Sequence, residues 1–368
     1  MRTSMSSLVG TFLSAALLAA CGGVNSGQSP TSSALTAGAN GGTLAVPTVP
    51  QSFEYPLTQN GARSLQSVMP DAIKQIQIAS DSCCYIAVAP ALNHIYVSSG
   101  INIKGNHTTV VDGGGSSFSI LATVKGFGGA NNVDSKTQNV WLPGLHGADV
   151  EVYSGTTLSK VTTASLSDCP NTSWVDGKRR YAWVAAQCGS GDDPVWAINA
   201  DTYAVVAGPI GSGGVMGGIS VLDPVTGKYY FDNSVGNFEI NPLASFTLSP
   251  TSFGFALGVN STTDVLYAQA TNRLNIVNGR SEKITKTVHL SYTPGFVGVN
   301  RHLNHIYLSA GQNSIEVREG SAGKLLKTIT LPSGIGIGSL GADNTRSRIY
   351  AIGTSGGNYY LYQIKDKY

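Results

Sequence analysis

The sequence predicts an all-β fold: a seven-bladed β-propeller with four-stranded antiparallel blades, its ring closed by an N-terminal strand. Three observations carry this. A strand–turn–strand unit recurs seven times at near-constant spacing. The segments between alternate apolar and polar residues with period two. A solitary strand-like stretch ahead of the first unit supplies what the last unit lacks.

The unit begins with a short apolar stretch ending in a residue pair: Ala89-Pro90, Val133-Asp134, Val175-Asp176, Leu222-Asp223, Val259-Asn260, Val299-Asn300 and Ala342-Asp343. Successive second members lie 44, 42, 47, 37, 40 and 43 residues apart. A polar hairpin follows each pair, then a β-branched or aromatic run such as Ile95-Tyr96-Val97, Val140-Trp141-Leu142 or Ile306-Tyr307-Leu308. A third strand alternates (Asp149 to Tyr153, Arg273 to Val277, Ser314 to Arg318), which gives one buried and one wet face. A turn then leads to a fourth, as in Lys327 to Leu331. Four antiparallel strands per roughly 42 residues is the pattern of a propeller blade.

The last unit, from about 333 to 368, holds only three strands. Ile73 to Ala79 matches the fourth strands in character and is expected to complete it, so that no sheet edge is left free at the seam. Composition agrees: 45 Gly, 16 Tyr and only 12% charged residues suit short strands joined by tight turns.

Two units, Ala91-Leu92-Asn93-His94-Ile95-Tyr96-Val97 and His302-Leu303-Asn304-His305-Ile306-Tyr307-Leu308, resemble the YVTN-type β-propeller repeat, and the likeness spans nearly all of residues 73–368. The Pro-Asp-Gly hairpins of that family are degenerate here, as in Asp223-Pro224-Val225-Thr226-Gly227. The resemblance implies architecture and an extracytoplasmic setting; it carries no activity.

The chain opens as an export signal over residues 1–20: Arg2, then an apolar stretch from Leu8 to Ala20, too short to span a bilayer as a helix. It ends in Leu18-Ala19-Ala20-Cys21-Gly22, which resembles the bacterial lipobox and implies acylation of Cys21. Residues 21–52 are rich in Gly, Ser, Thr, Ala, Asn and Pro. From Gly22 to Gln51 there is neither a charge nor an aromatic side chain. Such a stretch cannot bury enough apolar surface to fold and reads as a flexible tether. Residues 53–368 are assigned to the propeller. The expected address is the cell envelope, periplasmic or outer surface, with the membrane as a partner through the lipid. With 23 Lys and Arg against 21 Asp and Glu and no clustered basic run, a nucleic-acid partner is not expected.

Five cysteines leave four after lipidation. Cys169 precedes the first strand of blade 3 and Cys188 follows its second, so antiparallel pairing brings them together; a disulfide is expected there. Cys83 and Cys84 are adjacent, and either a vicinal disulfide or two thiols is compatible with that placement.

Ligands of propellers gather on the rim formed by the second-to-third and fourth-to-first connections. In this chain those connections carry Gly, Ser and Asn together with Tyr85, Phe127, Trp174, Tyr292 and Phe296, chemistry suited to a sugar or peptide. His146, Asp149, Asp192 and Asp193 could hold a cation such as Ca²⁺, but the simpler reading, preferred here, is a solvated loop. His94, His302 and His305 fall in hairpins of the other rim. Asp112-Gly113-Gly114-Gly115 is a turn with no helix behind it and is no phosphate loop. No nucleophile elbow or paired acid stands out, so no catalytic residue, metal or cofactor is assigned. Two functions follow as expectations: a membrane-anchored lipoprotein whose rim binds a protein, peptide or glycan, or a lactonase- or lyase-type enzyme with a rim metal.

Overall fold

In the computed structural model the chain forms seven four-stranded antiparallel sheets arranged as a ring. The residues described are 73–78, 84–99, 107–114, 118–125, 132–144, 147–187, 193–211, 216–311, 313–332 and 335–366. Blade 1 shows the common plan: inner strand Cys84–Ala89, second His94–Ser99, third His107–Asp112, outer Ser119–Lys125. The inner strands of blades 2 to 7 are Asn132–Val133, Pro170–Asp176, Met216–Leu222, Phe255–Asn260, Val297–Asn300 and Gly336–Asp343. Each inner strand touches the next, and the seventh touches the first. Blade 7 draws its outer strand from Ile73–Ile78, which pairs antiparallel with Asn358–Lys365 from Ile73 opposite Ile364 to Ile78 opposite Tyr359. Closure by an N-terminal strand is therefore as the sequence predicted.

The seven pairs of the repeat turn out to be one turn built seven times. In six blades an Asp or Asn (Asp134, Asp176, Asp223, Asn260, Asn300, Asp343) ends or directly follows the inner strand, almost fully buried, and its side-chain oxygen accepts the backbone N–H two residues on at 2.8–3.0 Å. The fifth residue of every turn is left-handed: Asn93, Gln138, Arg180, Gly227, Asp264, Asn304 and Ser347, with φ between 49° and 81°. A short polar side chain that replaces the missing backbone acceptor is what makes Asp and Asn suited to this place. In blade 1 the equivalent of Asp134 is Ala89, one residue earlier than the Pro90 that the sequence pairing suggested. Proline stands second in the turn, where its fixed φ is tolerated.

Three residues after each left-handed residue stands an aromatic: Tyr96, Trp141, Trp183, Tyr230, Tyr267, Tyr307 and Tyr350, none more than 2% exposed. Each faces the following blade. The Tyr350 hydroxyl donates to the Gly113 carbonyl at 3.3 Å, the Tyr307 hydroxyl to Asp366, and the Tyr230 hydroxyl to Glu282 at 3.0 Å. Where Tyr96 and Tyr267 press on the next blade, Gly155 and Gly320 leave room; a Cβ there would lie 3.0 and 2.6 Å from the hydroxyls. Neighbouring strand positions face the preceding blade, so the core divides into seven apolar clusters, each shared by two consecutive blades. Truncating one such aromatic would cost about 3–5 kcal/mol.

Candidate functional site

Strand direction sorts the connections onto two rims. The first-to-second and third-to-fourth turns form one, here called the turn rim; the second-to-third and fourth-to-first connections form the other, the connection rim.

The first-to-second turns of the turn rim are uniform. Each reaches its left-handed residue at the same fifth position, and charged side chains tie one blade to the next. Arg180 of blade 3 grips Asp134 of blade 2 with two parallel bonds of 2.9 and 2.8 Å. Burial pushes the Asp134 carboxyl up, but Arg180, the Thr137 hydroxyl and the Lys136 N–H outweigh it and hold the group below the usual carboxylate range. Arg179 reaches the Pro224 and Val225 carbonyls of blade 4, and Arg346 reaches the Pro90 carbonyl of blade 1. Lys228 sits between Glu239 (2.8 Å) and Glu282 of blade 5. Burial first, then the neighbouring Glu282, raises Glu239 to about 7. His94 and His305 follow the left-handed Asn93 and Asn304 and are turn-rim structure: His94 Nδ1 lies 3.4 Å from the Tyr96 hydroxyl, and His305 Nδ1 lies 2.9 Å from Asp366.

The connection rim is uneven. The second-to-third connections of blades 1, 2 and 3 span residues 100–106, 144–148 and 187–194, whereas those of blades 4, 5 and 7 are two residues each (234–235, 271–272, 356–357) and that of blade 6 four (310–313). The longer second-to-third connections therefore fall on three consecutive blades, while the longest fourth-to-first connection, 290–296, joins blades 5 and 6.

Of the side chains expected here, two lie within inner strands and not in connections. Tyr85 stands opposite Ser98, and Trp174 opposite Trp183. Pairing of Pro170–Asp176 with Tyr181–Ala186 continues past a bulge at Asn171, which carries the strand further than its sequence suggests. Trp174 stays partly exposed while its indole N–H donates to Ser220 Oγ at 3.1 Å. Ser220 in turn donates to Thr172 Oγ1 at 3.2 Å, which lies 3.2 Å from the Tyr229 hydroxyl, a buried polar chain between blades 3 and 4. Asp193 is fully buried. Tyr292 donates to Glu316 Oε2 at 2.5 Å, which also accepts Arg318 Nε at 2.7 Å. Phe296 packs on the cluster between blades 6 and 7, its N–H donating to Ser309 Oγ at 3.2 Å. Tyr292 and Phe296 share one connection; Tyr85 and Trp174 stand on other blades. Phe127, His146 and Asp192 lie outside the described residues, as do Cys21, Cys83, Cys188 and the Cys84 side chain. Asp149 accepts Ser165 Oγ at 2.7 Å, and among the described residues no group of three His, Cys, Asp or Glu is placed to hold a metal ion.

One residue of this rim escaped sequence reading. Asp232 is the penultimate residue of the second strand of blade 4, Tyr229–Asn233, at the position where the other blades place Ser98, Pro143, Ala185, Gln269, Ser309 and Ile352. Burial raises it to about 7, and its Oδ1 has no hydrogen-bond partner. An acid among such residues is the only signal that could have marked it.

Fold and geometry define a β-propeller with one closed rim and one elaborated rim. No family profile matches the chain, and no curated protein sequence matches it.

Proposed function

We propose that this is an exported propeller of the YVTN type, anchored by acylated Cys21, whose connection rim above blades 1–3 binds an extracytoplasmic protein, peptide or glycan. One observation carries the reading: the longer second-to-third connections are concentrated on adjacent blades, while the first-to-second turns of the opposite rim keep one form throughout. Loops that depart from a rigid scaffold's common pattern are where recognition is usually built. The seven aromatics in register with the Tyr of Ile95-Tyr96-Val97 support the YVTN relationship. A Cys169–Cys188 bond belongs to the same reading. The Gln187 N–H donates to the Cys169 carbonyl at 3.1 Å, so the residue before Cys188 lies beside Cys169. The bond would close a loop of about 20 residues, worth roughly 3 kcal/mol in chain entropy.

The test is a panel of envelope proteins, peptides and glycans probed with the intact protein and with a Trp174→Ala, Tyr85→Ala variant. Specific capture by the first, weakened in the second, supports the rim as the binding surface. Absence of any specific capture sinks it. Against an enzyme, the folded protein is freed of chelator and assayed for bound divalent metal; stoichiometric metal with a thermal shift would favour the lactonase or lyase reading instead.

A further inference from the structure

The turn rim has a chemistry that the binding function does not use. Of eight exposed large apolar side chains among the described residues, seven sit at this rim, at or within two residues of the third-to-fourth turns; they include Val205, Val206, Leu243, Ile284, Leu325 and Leu326. Val235 alone is on the connection rim. The same rim exposes Lys136, Lys178, Arg280, Lys283, Arg301 and Lys324. Its acids are mostly withdrawn: Asp134, Asp176, Asp223, Asp343 and Asp366 are buried, Asp112, Asp264, Glu282 and Glu319 are half-buried, and the exposed Asp201 is held by Arg180. Balanced overall charge is thus sorted so that cations and apolar groups face solvent together.

The direction of the closing strand adds a second, independent observation. Ile78 lies opposite Tyr359, near the connection rim, and Ile73 opposite Ile364, beside Asp366 of the turn rim. The first described residue of the chain, Ile73, therefore stands at the turn rim.

From these we infer that the turn rim is a membrane-facing surface that docks on acidic phospholipid headgroups, leaving the connection rim turned outward toward its partner. The inference rests on the proposed anchor only for its biological setting. Roughly 50 residues between Cys21 and Ile73 have a mean reach of about 40 Å if unstructured, whereas a six-residue strand spans about 20 Å, so the tether alone does not fix orientation. The charge and apolar asymmetry does: each Lys or Arg near an anionic surface strengthens binding about five-fold, and the exposed aliphatic groups add burial at the interface. Tethering raises the local concentration of the rim, so a weak surface suffices.

The experiment uses residues 22–368, which contain the whole closed propeller and no acyl group, with vesicles of phosphatidylcholine with or without phosphatidylglycerol. The expected result is flotation with the anionic vesicles only, weakened by salt. Lys178→Gln, Lys283→Gln and Lys324→Gln together should reduce partitioning about 100-fold. Orientation is read by brominated lipid: Leu243→Trp fluorescence is quenched, while Val235→Trp, on the opposite rim of the same blade, is not. Binding that ignores lipid charge, a triple variant that partitions like the parent, or stronger quenching of Val235→Trp overturns the inference. Acylation is read separately, from the mass of the Cys21 peptide of the exported protein, so a missing anchor and a wrong rim give different results.

Discussion

Arg180→Met is the sharpest test of how the blades are joined. Arg180 is mostly buried and its two bonds to Asp134 cross from blade 3 to blade 2; Asp134 is inaccessible to solvent. Removing one member of a buried pair leaves an uncompensated charge at a cost of about 3–5 kcal/mol. Asp134 retains the Lys136 N–H at 2.9 Å and the Thr137 hydroxyl at 2.7 Å, which places the expected loss near the lower end, about 3 kcal/mol. Methionine keeps the stem volume and bears the same left-handed backbone as arginine, so the comparison isolates the charge. The exposed Asp201 rehydrates. Adding Asp134→Asn, which keeps the turn acceptor but removes the stranded charge, should recover about 2 kcal/mol as a coupling energy. The Asp134 carboxyl is held below its unfolded value, so its contribution is present above about pH 4 and is lost as pH falls through the native value. The Arg180→Met deficit should therefore shrink on acidification. Urea unfolding of the four proteins of the cycle, at pH 7 and again in acid, measures all of this. A single variant within about 0.5 kcal/mol of the parent, or a double variant as costly as the sum of the singles, would refute the buried latch.

Other perturbations read other joints. Ile78→Ala, at the seam, should cost about 2–5 kcal/mol by urea unfolding, and an unchanged midpoint would show that the closing strand is dispensable. Gly341→Ala places a Cβ 2.7 Å from Ile86 Cγ2 across the blade 7–blade 1 contact and should cost about 1–3 kcal/mol, whereas Gly147→Ala meets nothing and should be neutral; equal melting of the two counts against the close approach. Asp232 and Glu239 both bind their proton to about pH 7 in the folded chain, well above their unfolded values, so stability should fall as pH rises from about 4.5 to 7. Asp232→Asn should flatten part of that slope in pH-resolved thermal denaturation, and a slope identical to the parent's would remove Asp232 as its source. Alkylation without reductant followed by mass spectrometry should find Cys169 and Cys188 protected; modification of both speaks against their bond.

Much of the fold could be read in the sequence because its causes are local. Alternation marks the strands, and an Asp or Asn before a left-handed fifth residue marks the turn. The orphan strand Ile73–Ile78 matched a vacancy that the blade count itself exposed. The exception is instructive: in blade 1, Ala89 offers no side-chain acceptor, so the repeat could be aligned one residue off. Histidines at 94 and 305 were legible as turn residues for the same local reason, the Asn before each taking the left-handed position.

What the tertiary structure alone decided involves partners far apart along the chain. Arg180 and Asp134 are 46 residues apart, and no local pattern couples them. Trp174 falls in a connection by sequence, whereas strand pairing puts it in an inner strand opposite Trp183 with its N–H on Ser220. Asp232 is an ordinary strand-end acid by sequence; its proton affinity comes from burial, which only packing sets. The division of the surface into a basic, apolar turn rim and an uneven connection rim is likewise invisible in a balanced composition, because it depends on which acids the ring turns inward. Sequence determined the blades, since strand and turn are settled over a few residues; the ring determined the faces, since exposure is settled by the blade next door.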